Sequence, residues 1–256
     1  MKFNPFQPNQ IVAPGMFTGR YNEIETIERC LFQAKNGNPQ HFLIQGERGI
    51  GKSSLFFLVS RFADGQITTI RAGAMNFIVL SVDLGSVASQ FDIVRAIARE
   101  LKSEIGRRQA IVEKAMKVWD FLSSWEILGV KYNKFAAHAA QADEARDELI
   151  NQIAELCTTK DSGIYGVFII IDEADAPPIE AGLGEFLKTF TERLTKRNCD
   201  KVLIGLAGLP TLMSKLRGSH ESSPRIFSIL TLKPLEQNER MEVVQKGLDQ
   251  ADQKMW

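Results

Sequence analysis

The apolar positions of this chain fall into two alternating rhythms. Ile24, Ile27, Leu31 and Ala34 recur at steps of three and four, the spacing of one buried helical face, and the stretch is closed by Asn36-Gly37-Asn38-Pro39. A solid run follows, Phe42-Leu43-Ile44, which reads as a short buried strand ending near Gly46. The alternation then repeats. Helical spacing is expected from Ser53 to Phe62, again on Phe91, Val94, Ile97, Leu101 and Ile105, and through Leu149, Ile153 and Leu156. It returns on Leu183, Phe186, Leu187, Phe190 and Leu194, briefly after Pro210, and on Met241, Val244 and Leu248. Strand runs are expected from Phe77 to Leu84, Val167 to Ile171, Val202 to Ala207 and Phe227 to Leu232. Strands apolar on both faces, interleaved with helices, predict an α/β fold with a parallel sheet wrapped by helices.

Two stretches depart from this rhythm. Pro5, Pro8, Pro14 and Gly15 predict an extended lead-in. Between about 106 and 142 the periodicity breaks, and Trp125 to Tyr132 reads as a small hairpin inserted between helices. No internal repeat is visible.

Composition narrows the class. The 256 residues carry 31 Lys+Arg against 31 Asp+Glu, with 44% hydrophobic and 24% charged residues, which excludes a disordered chain. A net charge of zero gives no general electrostatic grip on DNA or an anionic membrane. The longest apolar runs fall short of the ~20 residues of a membrane helix, and the first residues lack a secretory core. Cys30, Cys157 and Cys199 are scattered in sequence, which predicts a reducing, cytoplasmic setting without disulfides or a zinc knuckle. His41, His138 and His220 stand apart, at no metal-ligand spacing.

Chemistry enters at Gly46-Glu47-Arg48-Gly49-Ile50-Gly51-Lys52-Ser53, which fits the Walker A pattern G-x-x-x-x-G-K-[ST]. Glycines let successive amide N–H groups converge on a phosphate at the positive end of the following helix. Lys52 then places a charge on the β- and γ-oxygens, the Ser53 hydroxyl is a Mg²⁺ ligand, and Ser54 reaches toward the α-phosphate. The match follows an apolar strand and opens an apolar helix, as that mechanism requires, so nucleotide binding is expected.

A second half-site follows at Val167-Phe168-Ile169-Ile170-Ile171-Asp172-Glu173, an apolar strand ending in two acids in the Walker B form. There Asp172 is expected to hold Mg²⁺ and Glu173 to orient the attacking water. Asp172-Glu173-Ala174-Asp175 also spells the name of a helicase family, but the chain is too short for that family's second domain. Asp175 reads as a helix cap before Pro177-Pro178, or as a residue supporting the site.

Upstream of the phosphate loop, Phe17-Thr18-Gly19-Arg20-Tyr21-Asn22-Glu23 resembles the F-x-G-R-x-x-E box of AAA+ ATPases, in the branch of origin-recognition initiators and STAND-type signalling ATPases. Asn4-Pro5-Phe6, Leu206-Ala207-Gly208-Leu209-Pro210, Pro224-Arg225-Ile226-Phe227 and Leu232-Lys233-Pro234-Leu235 are similar to a set of bacterial initiator-like ATP-binding proteins. The resemblance implies a three-layer P-loop NTPase fold of AAA+ type, with a five-stranded parallel sheet in the order 5-1-4-3-2. It implies a core over residues 1–235, a lead-in over 1–20 whose Val12 to Phe17 stretch passes the adenine ring, and the first part of a helical lid over 236–256. The implied ligands are ATP or ADP with Mg²⁺. The implied partner is a second copy of the chain, reached through Arg225 as an arginine finger, with Arg217 as runner-up. Nucleic acid would be contacted only through a domain outside these residues.

One departure bears on activity. The strand before Gly208 should end near a polar side chain that senses the γ-phosphate, yet Gly208-Leu209-Pro210 follows and Thr211 is the nearest hydroxyl. The expected function is therefore an ATP-binding, slowly hydrolysing switch. Its rivals are a non-hydrolysing signalling or scaffold module and a DNA-associated initiator.

Overall fold

A computed structural model describes residues 6, 10–68, 73–108, 111, 113, 118, 138–159 and 162–253. The expected hairpin at Trp125 to Tyr132 and Asn4-Pro5 lie outside the described residues. In chain order the elements are α1 (Tyr21–Lys35), β1 (Phe42–Gln45), α2 (Lys52–Ala63), β2 (Phe77–Val82), α3 (Gln90–Gly106), α4 (His138–Thr158), β3 (Gly166–Ile171), α5 (Leu183–Lys196), β4 (Val202–Gly208), α6 (Leu212–Ser219), β5 (Ser228–Thr231) and α7 (Gln237–Gln253). Short 3₁₀ turns occupy Pro14–Met16, Ile179–Ala181 and Ser223–Ile226. Among the described residues no helix is long and apolar enough to cross a membrane.

Among the described residues five strands form one parallel sheet in the order β2-β3-β4-β1-β5. This is the expected 5-1-4-3-2 sheet viewed from its other edge. Strand side chains alternate between faces, and each face is covered. Phe42 and Ile44 of β1 and Phe168 and Ile170 of β3 pack beneath Ile27 and Leu31 of α1 and Leu55, Phe56 and Val59 of α2. Leu43, Ile169, Ile171, Ile204 and Leu206 face the other way, onto α3, α4 and α5 through Val94, Ile97, Leu149, Ile153, Phe186 and Phe190. Each such side chain contributes about 1.5–3 kcal/mol by leaving water, so these two layers fix the level of the strand ends.

Local differences from the sequence pattern have local causes. β2 stops at Val82 rather than Leu84 because the Asp83 carboxylate accepts the Gly85 N–H at 2.8 Å and turns the chain. His41 is half-buried just before β1, its Nδ1 accepting the Ile204 N–H at 3.2 Å, and desolvation pushes its pKa down to about 4. All three cysteines are free and buried, and folding brings Cys157 and Cys199 to the lining of one cavity.

Gly205 sits opposite Phe42 in the β1–β4 pairing. Its missing side chain leaves room for the Phe42 ring, which lies 6.0 Å from the Phe168 ring centroid. A Cβ there would stand 2.7 Å from Phe42 Cζ and 3.2 Å from Phe168 Cε2. Gly205→Ala is therefore expected to lose about 1–3 kcal/mol of stability by overpacking, measured by denaturant unfolding; an unchanged midpoint would show that the two rings yield freely.

Candidate active site

The phosphate loop runs from the end of β1 to the start of α2. Gly46 extends the sheet, its N–H bonding the Gly208 carbonyl at 3.3 Å. Gly49 and Gly51 adopt φ of +79° and +102° with open space on the side a Cβ would occupy, so the loop presents backbone N–H groups to a cavity. The first amides of α2 have no acceptor within the helix and carry its positive end. Lys52 Nζ donates to the carbonyls of Gly46 and Glu47 at 2.8 and 2.9 Å. The lysine thus rests on its own loop, within reach of the place where phosphate oxygens would replace those carbonyls.

The β3 end supplies the acids. Asp172 Oδ2 accepts the Ser53 hydroxyl at 2.5 Å, and its Oδ1 accepts the Glu173 N–H at 2.9 Å. Glu173 adopts φ of +48°, a left-handed conformation uncommon for a residue with a side chain. Beyond it, the Ala174 N–H bonds the Ala207 carbonyl of β4 at 2.8 Å, continuing the pairing past the end of β3. A cavity of about 680 Å³ gathers these parts, lined by Gln10, Ile11, Arg48, Lys52, Ser53, Ser54, Asp172, Glu173 and Asp175 with Gly49, Gly51, Ala176, Gly208 and Leu209. A smaller cavity of about 370 Å³ adjoins it between α2 and the end of β2, sharing Ile11, Ser53, Asp172 and Glu173.

Among the described residues no group of three or more His, Cys, Asp and Glu is placed to hold a metal by itself. The Ser53–Asp172 oxygen pair suits Mg²⁺ in the other way that ion is bound, by one or two protein oxygens completed by substrate phosphate and water. The donor set fits the implied cation.

The lead-in and the box hold the loop from one side. The Val12 N–H donates to Ser54 Oγ at 3.1 Å, and Phe17 packs against the α1–α2 core. Gln10 and Ile11 line the cavity rather than Val12 or Phe17. Arg20, buried and at φ of +61°, connects three elements. Its Nη2 donates to the Ile50 carbonyl at 3.1 Å, its Nη1 lies 3.6 Å from Glu23 Oε1, and its backbone N–H donates to Glu239 Oε1 at 2.8 Å. Two more bonds dock α7 here: Tyr21 Oη to Glu242 at 2.8 Å and Lys246 Nζ to the Phe17 carbonyl at 2.9 Å. Gly19 sits at φ of +75°, a conformation that favours glycine, and a Cβ there would stand 2.7 Å from Glu239 Oε1, so that the carboxylate would have to shift.

Arg225 is exposed in the turn before β5 and is not among the residues lining this cavity; Arg217 is exposed in the last turn of α6. Of the two readings of Asp175, the cap does not form, since the 3₁₀ turn at Ile179–Ala181 has Pro178 at its N-cap and no side-chain cap bond, while Asp175 does line the cavity. The Asp175 carboxylate turns instead to β4, where Oδ1 accepts the Leu209 N–H at 2.9 Å. Sequence spacing pointed to neither the Arg20–Glu239 link nor Gln10 and Ile11; the arginine of the F-x-G-R box was the available signal for the first.

The family model described as AAA ATPase domain matches residues 16–203. An uncharacterized HTH-type transcriptional regulator of Methanocaldococcus jannaschii is 25% identical over 98% of this chain and 58% of its own length. Two solved structures share the fold. Cdc6p of Pyrobaculum aerophilum has a TM-score of 0.58 at 12% identity, over 96% of this chain and 53% of that one. The Aeropyrum pernix ORC2 protein, in ADPNP–ADP complexes, has a TM-score of 0.56 at 15% identity, over 96% of this chain and 55% of that one. The chain thus spans little more than half the length of the relatives it matches.

The α7 contact has a pH dependence of defined sign. The N–H groups of Glu236 and then Arg20 hold the Glu239 carboxyl below its ordinary 4.5. A lowered folded pKa contributes stability that is complete above the ordinary value and is lost as pH falls through the lowered one. Glu239→Gln is expected to melt about 2–4 °C lower than the parent at neutral pH, and the gap should close in acid. A gap that persists below the carboxylate range would show that charge is not what holds α7 to the box.

Proposed function

Since this chain belongs to the AAA ATPase domain family, whose members bind nucleotide, we propose that it binds ATP and ADP with Mg²⁺ and hydrolyses ATP slowly, as a switch whose nucleotide state sets its assembly or its contact with a partner. The observation that carries this reading is one cavity collecting Lys52 and Ser53 from the β1 end and Asp172 and Glu173 from the β3 end. The amides from Gly49 through Ser53 bind phosphate oxygens, and Lys52 exchanges its two carbonyl partners for β- and γ-oxygens. Ser53 and Asp172 would hold Mg²⁺, which when bound neutralises charge on those oxygens. Glu173 orients a water and accepts its proton as the water oxygen bonds to the γ-phosphorus and the bond to the β–γ bridging oxygen breaks, so that ADP leaves with the electron pair and inorganic phosphate is formed. The adenine ring lies on the lead-in side, where Ile11 and Gln10 line the cavity, while Val12 and Phe17 fix the path of that segment.

A second reading, a non-hydrolysing module with nucleotide as a structural cofactor, is favoured by Gly208, which brings no side chain to the β4 tip. Arg225 acts, in this proposal, on a second copy of the chain, since it lies outside its own cavity. The Methanocaldococcus relative is described as an HTH-type regulator, and a DNA-associated role for the whole protein is a further proposal drawn from it.

Two variants test the site. Lys52→Ala is expected to abolish ATP binding in calorimetry while the melting temperature without nucleotide stays within a degree or so; retained affinity would sink the phosphate-loop assignment. Glu173→Gln should keep ATP binding and cut turnover by about a hundredfold or more, the scale of a positioned base. A parent with no turnover above the Lys52→Ala background would leave the structural-nucleotide reading in place.

A further inference from the structure

The β4 tip is not merely missing a side chain. The space a side chain on Gly208 would fill is already taken: a Cβ there would stand 2.6 Å from Asp175 Oδ1 and 2.8 Å from Leu212 Cδ2. Asp175 is not free to retreat. Its Oδ1 holds the Leu209 N–H at 2.9 Å, and its backbone carbonyl accepts Lys215 Nζ, which also donates to the Pro177 carbonyl at 3.3 Å. A carboxylate from the β3 loop therefore stands at the end of β4, lining the same cavity as Lys52, Ser53 and Glu173.

The chemistry of that replacement is opposite to that of a neutral polar group. An ionised carboxylate only accepts hydrogen bonds, so it cannot donate to a phosphate oxygen, and its charge opposes further negative charge nearby. The cavity already holds Asp172 and Glu173 against Arg48 and Lys52. Asp172 has Ser53 and a cation to engage, and Glu173 has a water to orient. Asp175 has neither task, and its charge stands at the Gly208–Leu209 end of the same cavity.

We propose that Asp175 is a specificity-determining residue of this cavity, which disfavours a nucleoside triphosphate relative to the diphosphate and so makes the diphosphate-bound form the long-lived one. This rests on the nucleotide site proposed above. It assigns Gly208 a purpose, as the residue that lets the carboxylate in.

The test is calorimetry on the full chain with Mg²⁺ and either ADP or a non-hydrolysable ATP analogue. The parent is expected to prefer ADP, and the preference should shrink at high salt, where charge repulsion is screened. Asp175→Asn keeps an acceptor for the Leu209 N–H and removes the charge. It should raise analogue affinity relative to ADP about tenfold, the scale of one charge interaction at a partly solvated site. Damage to the fold would weaken both ligands together and leave their ratio unmoved, so the ratio is the readout. A parent that prefers the analogue, or an Asp175→Asn ratio equal to the parent's, overturns the inference alone. A parent that binds neither nucleotide overturns the site and the inference together.

Discussion

The lysine, the serine and the three acids of the cavity depend on three parallel strand ends that must stay at one level. The carboxyl ends of β1, β3 and β4 are locked there by backbone bonds that outlast β1 and β3, from Gly46 to Gly208 and from Ala174 to Ala207. Asp175 adds a side-chain rung from the β3 loop to Leu209. Beneath them the strands are buried on both faces, so a shift of one end would expose apolar surface and break ladder bonds together. The lysine, the serine hydroxyl and the two acids keep their mutual geometry because the sheet leaves their backbone no alternative.

The second organising contact is Arg20. A single guanidinium bonds the phosphate loop at Ile50 while the same residue's N–H bonds α7 through Glu239. A loop that rearranges when phosphate arrives would therefore be felt by α7, and a movement of α7 would be felt by the loop. The coupling is physical and short, running through one residue and not through the sheet. The exposed Met241, Val244 and Leu248 of α7 lie on the element at the far end of this link, so a helix with an uncovered apolar stripe is tied to the site.

What could be read in the sequence follows from the range of the signal. Solid apolar runs marked β1, β3 and β4, and a fixed eight-residue spacing marked the phosphate loop, because both are local patterns with a mechanical cause. Glu173 was legible from its place after an apolar run. The Arg20–Glu239 bond joins residues 219 apart, and no periodicity reports such a contact. For Asp175 the sequence left open a cap before Pro177-Pro178 and a residue supporting the site; the local pattern could not decide, because its partner, Leu209, follows another strand. Gly208 read as a missing sensor for the same reason: the side chain that occupies its place belongs to a different segment.

Backbone strain separates the residues that serve the site from those that serve a turn. Among the described residues three without the freedom of glycine adopt positive φ: Arg20, Glu173 and Asn198. Asn198 follows α5 at the opposite end of the sheet, and asparagine takes this conformation readily. Arginine and glutamate do not, and each such position costs on the order of 1–3 kcal/mol. Glycine would relieve that cost at both, and the chain uses glycine at the neighbouring Gly19, Gly49 and Gly51 where only the backbone matters. At Arg20 and Glu173 the side chain is retained against the strain, so its function must be worth more than the relief. Glu173 faces the cavity and Arg20 does not, which places the arginine's value in the link it makes between the phosphate loop and α7.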